Sequence, residues 1–192
     1  MRQPESGAGR TGGTVVSTDV HESETRTTQE FWRGAVNRLS VRREIVIEAA
    51  PDEVWAVVGD AARLADWWPG LQSVTVEGTM RTIVTGSGLP MPEQILTIDP
   101  IARRFQYRLE SPIFTEHLST IDVHDLGGIV TAGADAGTSA DTGRSLVVYS
   151  VDAEPAIMAL VIGGAGWNGL QRLQALVEAG LASDDETEEG GD

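Results

Sequence analysis

Residues 42–71 read RREIVIEAAPDEVWAVVGDAARLADWWPGL, a strand pattern that passes directly into two short helices and ends at an aromatic corner. Ile45 and Ile47 fall on one face and Glu44, Val46 and Glu48 on the other, the alternation of a half-buried strand. Pro51 then opens a helix, where its missing N–H costs nothing, and Asp52 and Glu53 sit against the positive end of the helix dipole. Val54, Trp55, Val57 and Val58 supply the buried side. Asp60 can cap a second helix, in which Ala61, Leu64, Ala65 and Trp68 recur at helical spacing until Pro69 and Gly70 stop it. Val74 and Val76 begin the next strand in phase.

Downstream, strands are expected near 71–78, 80–86, 93–99, 103–110, 115–125 and 144–152, divided by turn chemistry at Glu77-Gly78, Asp99-Pro100 and Pro90-Met91-Pro92. Phe105, Tyr107 and Leu109 share a face opposite Arg104, Gln106, Arg108 and Glu110, which describes a sheet with one wet side. The stretch 127–143, GGIVTAGADAGTSADTG, reads as a long loop of small residues. From Pro155 to Leu181 the period is helical, with Leu160, Trp167, Leu170, Leu173, Val177 and Leu181 along a broad stripe. A strand, two short helices, further strands and one long final helix predict an α+β fold, an antiparallel sheet of about seven strands curved around that helix.

Outside 42–181 little periodicity remains. Residues 1–28 are rich in Gly, Ser, Thr and charge and are expected to be disordered, as is the acidic stretch 182–192. Residues 29–41, through Phe31, Trp32, Ala35, Val36 and Leu39, are expected to form a short helix leading in. The chain carries a formal net charge of −15, no Lys and no Cys. That excludes a basic nucleic-acid interface, disfavours an anionic membrane surface, and leaves no disulfide or thiolate metal site. No apolar run approaches the length that spans a bilayer, so a cytoplasmic protein without integral membrane association is expected. No metal and no cofactor is expected, and the oligomeric state is left open.

The segment IEAAPDEVWAVVGDAARLADWWPGL at 47–71, the Asp-Pro turn with its basic, aromatic strand in IDPIARRFQYRL at 98–109, and the long final helix together resemble the SRPBCC or START-like superfamily. This superfamily includes polyketide cyclase and dehydrase proteins and lipid-transfer START domains. The resemblance covers about residues 42–181 and implies a helix-grip fold, whose sheet wraps the terminal helix around a mostly apolar pocket. It implies a hydrophobic small molecule or lipid as partner. It does not imply an enzyme, since the same fold serves carriers, binders, cyclases and hydrolases.

His117 leads the candidates for chemistry. Strand phase sets it with Thr115, Ser119, Ile121 and Val123, and an imidazole on a pocket wall can act as acid or base near neutral pH. The plainer reading is a histidine satisfied by a neighbouring hydroxyl. His124 points to the opposite face and cannot join it as a metal pair. Tyr107 and Tyr149 take inward positions, where a phenol can orient a carbonyl or simply pack. Glu93 is a possible base at the pocket rim, or a carboxylate facing water. Arg81 could hold an acid group of a ligand or serve in an edge-strand salt bridge. Phe105 and Ser119 are expected to line the pocket. If Trp68 follows the stripe into the core, Trp67 is left freer to gate a ligand.

Gly164, Gly166 and Gly169 satisfy G-x-G-x-x-G, but no second strand with an acidic end follows, so a dinucleotide site is rejected. Gly163, Gly166 and Trp167 are expected instead to border the pocket, with the small residues leaving room for a close sheet or for ligand volume. Three functions remain open: a binder of an apolar molecule, an aromatase/cyclase or dehydratase using His117 with Tyr107 or Glu93, or a protein-interaction module with a filled core.

Overall fold

The computed structural model describes residues 37–127 and 143–189. Its first strand, β1 (Leu39–Ile47), leads into α1 (Pro51–Val58), a 3-10 turn at Ala61–Arg63 and α2 (Leu64–Trp67). The antiparallel strands β2 (Leu71–Glu77), β3 (Met80–Thr85), β4 (Pro90–Asp99), β5 (Arg104–Leu109), β6 (Glu116–Asp125) and β7 (Ser145–Glu154) come next, followed by α3 (Ala156–Glu189). They make one 7-stranded sheet in the order β1-β7-β6-β5-β4-β3-β2. The α+β helix-grip architecture expected from sequence is therefore present, with α3 packed on β1 and β7 and reaching α2.

Local chemistry explains the corner. The Glu53 carboxylate accepts the Ala50 N–H at 2.7 Å, closing the start of α1. Asp60 accepts the Ala62 N–H at 2.9 Å and so caps the 3-10 turn. Val54, Val57 and Val58 face the core, while Trp55 is half-buried. The sheet contributes Ile47, Phe105, Ile121, Val123, Val147 and Val151 to the same core, all at most 2% exposed.

Several boundaries differ from expectation. Leu39–Val41 belong to β1, where they pair with Ala153–Val151, and not to a lead-in helix. The remainder of that segment, 29–36, lies outside the described residues, as do 1–28, 190–192 and, within the long loop, 128–142. The final helix runs past Leu181 to Glu189. Pro90, Met91 and Pro92 are strand rather than turn, paired with Val84, Ile83 and Thr82. Prolines are tolerated there because the paired register with β5 begins at Glu93, and the bond beyond it, from the Glu110 N–H to the Pro92 carbonyl at 2.8 Å, needs no N–H from a proline.

Candidate functional site

The inner phases of β5, β6 and β7 bring Tyr107, His117, Ser119 and Tyr149 together on the concave face. Tyr107↔Ser119 is the last aligned pair between β5 and β6. Beyond it the strands separate around Ser111–Thr115, and the His117 ring spans the gap. Its Nδ1 accepts the Leu109 N–H at 2.9 Å, so the neutral ring carries its proton on Nε2 and directs it at Ser119 Oγ, 3.2 Å away. Ser119 Oγ in turn lies 3.0 Å from the Tyr149 hydroxyl. The Tyr107 phenol joins the same group through Ser119 and Tyr149. Ser119, Tyr149 and Tyr107 are buried, and His117 is half-buried between the Tyr107 and Phe114 rings.

Burial sets the protonation of this group. It lowers the His117 pKa to about 4, against a small upward pull from Asp152, so the imidazole is neutral at pH 7. It pushes the Tyr107 and Tyr149 phenols up, so both stay protonated as donors. The cluster is thus a chain of uncharged hydrogen-bonding groups. On its open side lies a cleft of about 500 Å³, with His117, Leu109 and Phe114 in its walls and Arg38, Glu116 and Asp152 at its rim. The rim charges are paired with one another, Arg38 with Glu116 at 3.2 Å and with Asp152 at 3.7 Å.

Glu93 is not at a solvent-facing rim. It is 2% exposed and lies directly across from Arg81 in the β3–β4 register. Arg81 Nε donates to its Oε2 at 2.6 Å. Burial raises the Glu93 pKa and the guanidinium opposes that rise. A carboxylate held this way is unsuited to serve as the base. Nor is Arg81 in an edge strand, since β2 covers β3. Its Cζ stands 4.8 Å over the Tyr107 ring and 5.1 Å over the Phe105 ring, which is itself 1% exposed. The pairing had a signal in sequence: Arg81 is two residues before Ile83 and Glu93 two before Ile95, so both share the phase of a buried isoleucine.

The tryptophans exchange the roles expected of them. Trp67 is 2% exposed and belongs to the core, whereas Trp68 is partly buried with its ring edge-on to Tyr149 at 5.5 Å. The cause is the 3-10 turn at Ala61–Arg63, which advances about 120° per residue instead of 100° and shifts the phase of the residues after it. The glycines do not leave room for a ligand. A Cβ on Gly163 would stand 2.5 Å from Val41 Cγ1, and one on Gly166 would collide with Cδ1 and Cε1 of Tyr149. They let α3 approach the sheet, and neighbouring side chains occupy the space. Trp167 is 38% exposed and turned away from this contact.

Among the described residues no three His, Asp or Glu gather as metal ligands would, and no helix is long and apolar enough to cross a membrane.

No curated protein matches the chain. Among solved structures it is similar to the protein XoxI from Bacillus cereus, at 23% identity over 72% of this chain and 94% of that one, with a TM-score of 0.61. A START superfamily protein from Mycobacterium smegmatis is 15% identical over 73% of this chain and 97% of that one, with a TM-score of 0.54. The di-domain ARO/CYC BexL is 18% identical over 73% of this chain and 46% of that one, with a TM-score of 0.55. At these identities the likeness carries the fold alone. The family described as polyketide cyclase / dehydrase and lipid transport matches residues 38–178. The chain belongs to that family.

Proposed function

We propose that this protein binds a hydrophobic small molecule or lipid, which enters at the cleft beside His117 and meets the hydroxyl and imidazole groups behind it. The observation that supports this most is the chain from His117 through Ser119 to Tyr149, at 3.2 and 3.0 Å. It places uncharged polar groups behind His117, at a cleft of about 500 Å³ in which Leu109, Phe114 and Leu118 supply apolar surface among charged residues. Such a site binds an apolar body and orients one or two polar atoms on it. Native mass spectrometry of protein isolated from its own cells without denaturant tests the reading. A retained apolar molecule, lost on His117→Trp substitution that fills the mouth, is the expected result. Protein that carries nothing, and that fails to take up naphthalene derivatives in a titration, counts against it.

The convergence of His117 with two phenols favours a second reading, an aromatase/cyclase or dehydratase-type enzyme. With Nδ1 held by the Leu109 N–H and Nε2 carrying the proton, His117 and the protonated tyrosines would act as donors that polarise a substrate carbonyl and support the enol, while water takes the proton from the neighbouring carbon. Glu93 has no part in this scheme. In D₂O, such an enzyme would speed deuterium exchange into the methyl group of 2-acetonaphthone, and His117→Ala would abolish the effect. Exchange no faster than in buffer would leave the binding reading alone.

A further inference from the structure

The outward face of α3 is apolar in a strongly acidic chain. Its exposed positions recur every three or four residues. Ile157, Leu160 and Val161 are each more than half exposed, and Trp167, over a third exposed, continues the row. No charged residue occurs from Ile157 to Gln171, although the chain carries a net charge of −15. Single exposed apolar residues are ordinary, but a contiguous row of them marks a surface that another body covers.

Gly164 stands in the middle of this row. Packing within the chain explains Gly163, Gly166 and Gly169, where a Cβ would meet Val41, Tyr149 and, at 3.2 Å, Trp68. A Cβ on Gly164 would meet nothing within 4 Å, and the residue is exposed. Glycine weakens a helix interior, so folding of one chain gives no reason for it there. Close approach of a second backbone does.

The face also complements itself. When two copies of α3 meet antiparallel about a two-fold axis through Gly164, a residue n positions before the glycine in one copy faces the residue n positions after it in the other. Trp167 then lies against Val161, Leu160 against Asn168 and Ile157 against Gln171, each twice. The charges at the two ends of the row match as well. Arg172 is exposed and makes no ion pair among the described residues. In the pair it comes beside the start of the other helix, where Glu154 ends β7 just before Ala156. A cationic partner would find no acid on this face, and the net charge repels an anionic membrane.

We propose that the outward face of α3 pairs with the same face of a second copy of the chain, antiparallel and centred on Gly164. The inference is independent of what the cleft binds. A helix strip about 22 Å long, from Ile157 to Arg172, covers roughly 400 Å² per copy, about half of a standard interface, so the dimer is a weak one.

Sedimentation equilibrium of the full chain from about 5 to 500 µM tests this, with a mass expected to rise from one chain toward two and a Kd on the order of tens of micromolar. Val161→Asp and Gly164→Leu, at exposed positions that should leave the monomer able to melt cooperatively, are expected to weaken association at least about tenfold. Leu96→Asp, at a residue of β4 that is 47% exposed, should not. Arg172→Glu should weaken it too, and Arg172→Glu/Glu154→Arg should restore it, which distinguishes the antiparallel pair from other arrangements. A mass of one chain throughout, association that survives both Val161→Asp and Gly164→Leu, or a charge exchange that fails to restore it overturns the inference. So does a protein that stays monomeric yet floats with phosphatidylcholine vesicles until Val161→Asp releases it, a result that assigns the face to lipid.

Discussion

Nδ1 of His117 accepts the Leu109 N–H at 2.9 Å, taking the place of a ladder bond where β5 and β6 have diverged. A side chain thus does what backbone does elsewhere in the sheet, and it can do so only while it is unprotonated. That makes the mouth of the cleft sensitive to acid.

The sign is set by where the proton binds. The unfolded chain takes it up near the ordinary histidine value of 6.5, the folded chain only near 4. Between those values the unfolded state holds more protons, so stability is complete above pH 6.5 and declines as pH falls toward 4. The loss amounts to about 3 kcal/mol at most. Urea midpoints of the protein and of His117→Phe, followed over this range, check it. The difference between the two should narrow on acidification, and parallel curves would contradict the assignment.

The helix glycines should respond in opposite directions. Gly166→Ala drives a methyl group into the Tyr149 ring and should cost about 1–3 kcal/mol by overpacking. Gly164→Ala meets nothing within 4 Å and should stabilise the protein by about 0.5–1 kcal/mol through helix propensity. Thermal melts of both variants decide this. A neutral Gly166→Ala would mean that α3 and the sheet are not in close contact there.

Ser119→Ala should cost about 1–3 kcal/mol, because the buried Tyr149 hydroxyl and the His117 Nε2–H lose the atom between them. Combined with Tyr149→Phe the loss should be smaller than the sum of the two single losses. Additive losses in a double-mutant cycle would show that the hydroxyls are not coupled.

Arg81 and Glu93 should behave as one unit. Arg81→Met strands a buried carboxylate and should cost about 3–5 kcal/mol, whereas Arg81→Met/Glu93→Met should cost far less. Denaturant unfolding of the two variants and of the unaltered protein measures it. A double variant no better than the single one would mean that the pair is not electrostatically matched.

Much of the fold was legible because period and turn chemistry act locally. Ile45 and Ile47, the Pro51 helix start, the Asp60 cap and the Phe105-Tyr107-Leu109 face each depend on residues within a few positions of one another. His117 and Ser119 were paired by phase alone. The features that were missed depend on distant partners. Whether Gly166 admits a ligand or a phenol is decided by Tyr149, and whether Glu93 faces water is decided by Arg81, on another strand. Trp67 and Trp68 changed places because one tightened turn rotates everything after it, and a uniform helical period does not register that.

In the sheet β1 has β7 as its neighbour, with Leu39 opposite Ala153. On a ribosome adding roughly 5–20 residues per second, the strand made first therefore waits roughly 5–20 s for its mate to be synthesised. Until then a nascent chain exposes β1 unpaired, and a transcript broken off anywhere before β7 yields a polypeptide with one lone edge and nothing to cover it. Completion of the fold is in effect a check that translation reached the end of the last strand.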